Sequence, residues 1–221
     1  MTTLLWRWPS VGRGVDLEVR FVDEFEGGLG WIASEPQLLE RASHALCADG
    51  RVWVIDPVDG RDVEERIRSL GEPAAVVQLV DRHRRDSAEL ARRLGVAHHV
   101  TPSDGVPGAP FDVLKIVRIP RWHEVALWFR EERTLVCGDA LGTASYFRAP
   151  GDRVAVHPFL RLLPPRRLGT LEPLHVLVGH GEGIHGPEAT AALREALGSS
   201  RRRAPAALAS AASRLFRRAA R

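Results

Sequence analysis

The sequence predicts an α/β fold, and three observations lead to this class. Apolar runs alternate with charged amphipathic segments between residues 42 and 100, in the order strand, strand, helix, strand, helix, strand. A second group of apolar runs follows between residues 114 and 137, and a further run lies at 174–178. The chain has 221 residues and 44% hydrophobic content, which is enough for one layered domain and short for two. We therefore expect a single domain over residues 1–198, followed by a basic, flexible tail at 199–221.

The N-terminal 30 residues are predicted to add an early strand or hairpin to this domain. Polar and apolar positions alternate there, with apolar side chains at Val15, Leu17, Val19 and Phe21. The glycine-rich segment at 27–30 is predicted to turn the chain. Two strands at 42–47 and 51–57 come next, and Asp49-Gly50 between them is a typical hairpin turn.

The middle of the chain shows helical spacing on a charged background. Residues 62–70 carry apolar side chains with helical spacing, and Gly71 is predicted to end this helix. A buried strand at 74–80 precedes a second helix at 88–94, which we expect to end at Gly95. Another strand is predicted at residues 96–100.

The second half of the chain is predicted to form a second sheet. Residues 101–110 are rich in Pro, Gly and Asp and indicate a loop. Closely spaced strands are predicted after it, at 114–119, 125–129 and 134–137. A connection rich in Pro and Arg then leads to the last core strand, which is predicted at residues 174–178.

Composition excludes several classes of protein. The net charge is only +3 and the arginines up to Arg194 alternate with acidic residues, so a nucleic-acid partner is not expected. No apolar run approaches the ~18 residues of a membrane span, and the N-terminus lacks a signal-peptide core, so we expect a soluble cytoplasmic protein without a membrane partner. The distant cysteines are predicted to be buried thiols. A homodimer is conceivable because of the tryptophan side chains Trp6, Trp8 and Trp31.

Three short segments place metal-competent side chains at strand ends. They are residues 81–86 (Asp-Arg-His-Arg-Arg-Asp), 136–139 (Val-Cys-Gly-Asp) and 178–181 (Val-Gly-His-Gly). Each follows an apolar run that is typical of a buried strand, and α/β folds build their sites at such ends. Imidazole and carboxylate groups are suitable ligands for divalent ions.

Together these segments resemble the metallo-β-lactamase superfamily. In that family the first segment is His-x-His-x-Asp-His, the second supplies an aspartate that bridges two metal ions, and the third supplies a late histidine. The resemblance covers roughly residues 42–183 and implies a four-layer αββα sandwich. The second and third segments match, whereas the first keeps only its second histidine, so the chain is a divergent member with a degenerate motif.

The resemblance implies a set of site residues. His83, Asp139 and His180 would bind one metal ion, with Asp81 in the place of the first histidine. Asp56 occupies the place of a family aspartate near the metal loop. The third-histidine position falls on Trp122, with His123 one residue later and a possible additional ligand.

Arg85 is the main departure from the family pattern. A guanidinium group is always protonated and donates only, so it cannot bind a cation. Either Arg85 replaces a lost metal ion by neutralising Asp139 or Asp86, or it is a solvent-exposed arginine. Asp86 is a possible additional ligand in the place of the motif's last histidine, and it also fits a helix N-cap. Arg82 and Arg84 are expected to be exposed.

Two functions of different class remain open. The first is a hydrolase with at most one divalent ion (zinc, iron or manganese), in which Asp81 and Arg85 act on an anionic ester, thioester or phosphoester. The second is a metal-free binding or scaffold protein that has kept the fold and closed its pocket with Arg–Asp pairs. In both cases the partner is a small, anionic molecule.

Overall fold

The computed structural model describes residues 17–34, 39–83 and 85–209, and its first sheet contains six strands in sequence order. They are β1 (Val19–Phe25), β2 (Gly28–Ala33), β3 (Ala42–Ala48), β4 (Arg51–Ile55), β5 (Glu72–Gln78) and β6 (Ala97–Val100). The strands β1 to β4 pair antiparallel, whereas β4, β5 and β6 pair parallel. The parallel part needs crossovers, which are supplied by α1 (Val63–Leu70) and α2 (Ser87–Leu94).

The second sheet has five strands. In chain order the remaining strands are β7 (Phe111–Ile119), β8 (Trp122–Phe129), β9 (Thr134–Val136), β10 (Leu141–Gly142), β11 (Ala155–Val156), β12 (His175–Leu177) and β13 (Ile184–His185). The helix α3 (Glu188–Ser199) follows, and residues 204–209 are also helical. The sheet order is β13-β12-β9-β8-β7, with β12 and β9 parallel. The short strands β10 and β11 form a separate ribbon.

Apolar side chains divide the molecule into layers. The space between the sheets is filled by residues such as Ile55 and Val77 from the first sheet and Leu127 and Phe129 from the second. A separate cluster packs α1 and α2 on the other face of the first sheet, and it includes Val54, Val76, Ile67 and Leu90. The helix α3 packs against β11, β12 and β13. These layers confirm the predicted αββα sandwich.

Most predicted elements are present, but the turn predicted at the glycine-rich segment 27–30 lies elsewhere. The chain turns at residues 26–27, and Gly28 and Gly30 lie inside β2, where both are buried. A Cβ atom at Gly28 would lie 2.2 Å from the carbonyl oxygen of Ala45 on β3. These glycines therefore allow two strands to approach closely instead of turning the chain. The strand β13 and the helix α3 were not predicted.

Two other expectations are corrected by burial. Trp31 is 0% exposed and its indole N–H donates to the carbonyl oxygen of Val58 (2.7 Å), so it cannot contribute to self-association. Trp6 and Trp8 lie outside the described residues. Residues 200–209 are not a solvated tail, because Ala207 is buried and Arg203 pairs with Asp152. Residues 210–221 lie outside the described part of the chain. No helix in that described part is long and apolar enough to cross a membrane.

The loops that follow β9 and β12 touch each other through two glycines. The N–H of Gly179 donates to the carbonyl oxygen of Gly138 (3.0 Å), and the N–H of Ala42 donates to the carbonyl oxygen of Gly179 (2.9 Å). A Cβ atom at Gly179 would lie 2.8 Å from the Gly138 oxygen, which is too close for a side chain. This contact fixes the separation of the two loops that carry Asp139 and His180.

We predict that Gly179→Ala lowers the free energy of unfolding by about 1–3 kcal/mol, because the added methyl group must displace backbone. Gly198→Ala is the matched control. Gly198 lies in α3 with nothing within 4 Å of an added Cβ atom, so alanine there raises stability by about 0.5–1 kcal/mol through helix propensity. Urea unfolding of both variants checks the opposite signs, and equal effects would contradict the close-contact interpretation.

Candidate functional site

A buried carboxylate, Asp139, lies at the centre of the candidate site. It follows β9, and its Oδ1 atom is 2.8 Å from Nε2 of His83 and 3.0 Å from Nε2 of His180. The three ligand atoms all lie within 4.8 Å of one another. The three predicted segments, which follow β5, β9 and β12, therefore converge on one point.

The outer nitrogen of each histidine is held by an acceptor. Nδ1 of His83 lies 3.3 Å from Oδ2 of Asp56, and Nδ1 of His180 lies 3.0 Å from the carbonyl oxygen of Leu39. Asp56 is itself fixed, because its Oδ1 accepts the N–H of Leu79 (2.9 Å). If each Nδ1–H donates outward, both Nε2 lone pairs face Asp139. Proteins orient histidine ligands toward metal ions by hydrogen bonds of this kind.

The protonation states of the three residues are strongly coupled. Burial of the His83 ring opposes its charging, but the Asp139 carboxylate and the hydrogen bond to Asp56 together outweigh burial and raise the pKa of His83 to about 9. Burial lowers the pKa of His180, even though Asp139 acts in the opposite direction. Although burial disfavours its charge, Asp139 has a pKa well below the usual value because of both histidines.

This distribution of protons leaves one contact unsatisfied. A neutral His180 has a single N–H but faces two acceptors, the carbonyl oxygen of Leu39 and Oδ1 of Asp139. One of the two contacts therefore brings a lone pair against an oxygen. A divalent cation between the histidines and Asp139 would remove this conflict, and two neutral imidazoles with one carboxylate suit such an ion. The residues therefore fit a metal.

Arg82 neutralises the other oxygen of Asp139. Its Nε donates to Oδ2 of Asp139 (3.1 Å), and its guanidinium carbon lies 4.2 Å from the centroid of the Trp122 ring. The side chain remains 42% exposed, so it is accessible from solvent. The expectation that Arg82 is merely exposed is wrong, because it reaches the central carboxylate.

Arg85 has a different role from either role that the sequence suggested. Its guanidinium is partly buried and donates to three carbonyl oxygens, those of Ala42, Asp56 (2.8 Å) and Gly179 (3.0 Å). Burial lowers its pKa. The hypothesis that Arg85 pairs with Asp139 or Asp86 is therefore corrected. Because its guanidinium donates to backbone oxygens, Arg85 is not positioned to bind an anionic substrate. Its hydrogen bonds instead connect three segments of the chain.

Asp86 and Asp81 lie apart from the cluster. Asp86 immediately precedes α2, as expected of an N-cap, but its side chain makes no capping bond and its Oδ2 instead accepts the N–H of Asp59 (2.9 Å). Oδ2 of Asp81 lies 3.4 Å from Nδ1 of His123. Neither aspartate is among the described residues whose ligand atoms converge. Asp81 and His123 thus form a pair of their own.

The third-histidine position is taken by Trp122. Trp122 begins β8 and is buried, while His123 is the next residue and its side chain is 56% exposed. Successive side chains of a strand point to opposite faces, so only one of the two can face the site. Trp122 does so, because it contacts Arg82 and its indole N–H donates to Glu124 (2.9 Å).

Glu124 and His157 are site residues that the sequence reasoning missed. The buried Glu124 carboxylate accepts the N–H groups of Gly138 (3.0 Å) and Ala140 (2.9 Å), which hold Asp139 between them. Burial and the Asp139 charge raise the pKa of Glu124 to about 8. The ring of His157 packs 4.9 Å from that of Trp122, and burial lowers its pKa to about 4. A single carboxylate in the apolar run of β8 was the available signal for Glu124.

Comparisons with known proteins bear on the fold. No protein-family model matches the sequence, and no curated protein matches it. Among solved structures, the DIM-1 metallo-β-lactamase is 12% identical, with 85% of this chain and 97% of that chain covered and a TM-score of 0.53. A metallo-β-lactamase from Erythrobacter litoralis is also 12% identical, with 85% and 92% coverage and a TM-score of 0.56. At this identity the similarity establishes the fold alone.

We predict that Arg85→Met is far more destabilising than Arg82→Met. Removing the guanidinium takes a donor away from the carbonyl oxygens of Ala42 and Asp56, whereas that of Gly179 keeps the N–H of Ala42, and should lower the free energy of unfolding by about 3 kcal/mol. Arg82 is partly solvated, so its loss should cost about 1 kcal/mol or less. Denaturant unfolding of the two variants provides the comparison, and a larger effect at position 82 would contradict the assigned roles.

In metal-free protein, we predict that the His83 ring titrates near pH 9. The folded-state pKa exceeds the usual 6.5, so the stabilisation is fully present below about pH 6.5 and is lost as the pH rises through about 9. Asp139→Asn should lower the His83 midpoint well below 9, because burial is then opposed mainly by the hydrogen bond to Asp56. NMR titration of the ring protons measures both values, and His180 should titrate below 6.5 in the same spectra.

Proposed function

We propose that this chain, which has the metallo-β-lactamase fold, is a hydrolase-like protein that holds one divalent metal ion through His83, Asp139 and His180. The observation that carries the proposal is the arrangement of the two imidazoles. Both Nε2 atoms approach Oδ1 of Asp139, while both Nδ1 atoms are held by acceptors outside the cluster. A divalent ion bound there would acidify water and polarise an ester or carbonyl oxygen of a substrate.

A single ion is favoured over the pair that the family pattern would hold. Arg85 occupies the place of the aspartate in the family's first segment, and its positive charge would repel a second cation. Asp86, in the place of the following histidine, is bonded to the backbone of Asp59. Among the described residues, three ligand atoms converge, those of His83, Asp139 and His180. Three protein ligands are sufficient for a catalytic ion that keeps an open position.

Arg82 is the residue that would bind the substrate's negative group. It is partly exposed, stacks on Trp122 and already contacts a carboxylate oxygen. A guanidinium binds carboxylate or phosphate oxygens with paired N–H donors. An anionic ester, thioester or phosphoester could thus replace Asp139 as the partner of Arg82. Glu124 would keep the Asp139 loop in place through its two backbone hydrogen bonds.

A metal-free binding protein is the second candidate, and the Arg82–Asp139 ion pair favours it. Arg82 and a protonated His83 together supply positive charge to the buried Asp139 carboxylate without any ion. In that case the protein would bind a small anion through the exposed part of Arg82 and would have no catalytic activity. Metal content separates the two candidates.

We predict that protein purified without a chelating tag contains close to one equivalent of zinc, iron or manganese, and that His83→Ala and Asp139→Ala lose it. Elemental analysis, with calorimetric titration of Zn²⁺ into stripped protein, measures this. Arg82→Ala should bind the metal more tightly, because a competing cation is removed from Asp139.

His175→Ala is the matched control for the metal experiment. His175 lies on β12 and bonds His185 (2.8 Å) outside the cluster, so its loss should leave the metal content unchanged. Circular dichroism should show that each variant remains folded. Absence of metal from folded wild-type protein, with no uptake on titration, would refute the one-metal proposal and favour the metal-free binding protein.

A further inference from the structure

A second feature, remote from the metal ligands in sequence, is a group of large apolar side chains that face solvent. Phe159, Leu162 and Leu163 are exposed to 76%, 66% and 78% and lie within five consecutive residues. We call these three side chains the apolar tip. Isolated exposed apolar residues are common, but three on one short loop are unusual in a soluble domain and indicate a contact surface.

The loop that carries the apolar tip is anchored to the rest of the protein by hydrogen bonds and an ion pair. Arg161 lies between the exposed residues but is 1% exposed, and its guanidinium pairs with Asp152 (2.8 Å) and the carbonyl oxygen of Phe147 (2.8 Å). Ser200 Oγ donates to the carbonyl oxygen of Arg161 (2.9 Å), and Arg201 Nε donates to that of Leu162 (2.9 Å). These anchors direct the neighbouring apolar side chains outward.

Four arginines lie next to the apolar tip, one by a hydrogen bond to its backbone and the others by their position in the chain. Arg201 touches the backbone of Leu162, and Arg202 follows it, while Arg166 and Arg167 come directly after the loop. All four side chains belong to exposed residues, and within the described ranges none of the four forms an ion pair. The tip therefore combines protruding apolar groups with an uncompensated basic rim.

We propose that the apolar tip and its four arginines dock the protein on an anionic phospholipid surface. Apolar side chains that protrude from a loop enter the boundary between headgroups and acyl chains, and adjacent arginines bind acidic headgroups. A second copy of this chain is a poor partner, because a two-fold contact would bring the arginine rims together. The earlier expectation of no membrane partner rested on the lack of a spanning segment, which does not bear on peripheral docking.

The test is co-sedimentation of the full chain with phosphatidylcholine vesicles, with and without phosphatidylglycerol. We expect binding to the anionic vesicles and little to the neutral ones. Leu162→Ser/Leu163→Ser should weaken binding about tenfold while leaving every charge in place. The control Val100→Ser changes another exposed apolar residue, at 52% exposure on β6, and should bind like wild type.

Charge reversal tests the basic rim separately. Arg166→Glu/Arg167→Glu should abolish binding to anionic vesicles, whereas Arg118→Glu/Arg121→Glu, with the same net charge, should retain most of it. No binding to anionic vesicles would overturn the proposal. Unchanged binding by the double-serine variant would also overturn it, since charge outside the tip would then suffice. A wild-type dimer in light scattering that this variant dissociates would assign the tip to self-association instead.

Discussion

The buried negative charge of Asp139 is the constraint on which the rest of the site depends. A carboxylate taken out of water must be compensated, and His83 and Arg82 both supply positive charge to this one. Glu124 is a second buried carboxyl group nearby, but burial and the Asp139 charge raise its pKa to about 8, so it adds little negative charge at neutral pH. In the function proposed above, a divalent ion would compete with His83 and Arg82 for Asp139, and the outcome of that competition would separate a catalytic centre from a binding site.

The fold delivers these groups because several strands end at the same place. His83 follows β5, Asp139 follows β9 and His180 follows β12, and each strand is too buried to shift its register without exposing core residues. The two sheets are linked across this edge by the N–H of Ala42, which donates to the carbonyl oxygen of Gly179, and by the carbonyl oxygens that Arg85 binds. The geometry of the cluster is therefore set by the packing of the whole sandwich.

Sequence patterns predicted the layers and the three converging residues well, since both follow from local apolar runs and from motifs at their ends. They failed where a role depends on three-dimensional neighbours. Arg82 and Arg85 are three residues apart and chemically identical, yet one reaches Asp139 and the other donates to backbone carbonyl oxygens. On β8, Trp122 faces the site and His123 faces away, and a shift of one residue in the alignment of this strand would reverse the two orientations. Glu124 was hidden because a single polar residue in an apolar run does not reveal its partners.

The position of Arg85 also limits which side chains could replace it. Its guanidinium joins the segments at Ala42, Asp56 and Gly179, so the backbone there is arranged around a five-donor side chain. A single replacement of Arg85 by a shorter, metal-binding side chain would remove this donor from the carbonyl oxygens of Ala42 and Asp56 before any second ion could bind. A second metal site at this position would therefore require the surrounding backbone to rearrange as well.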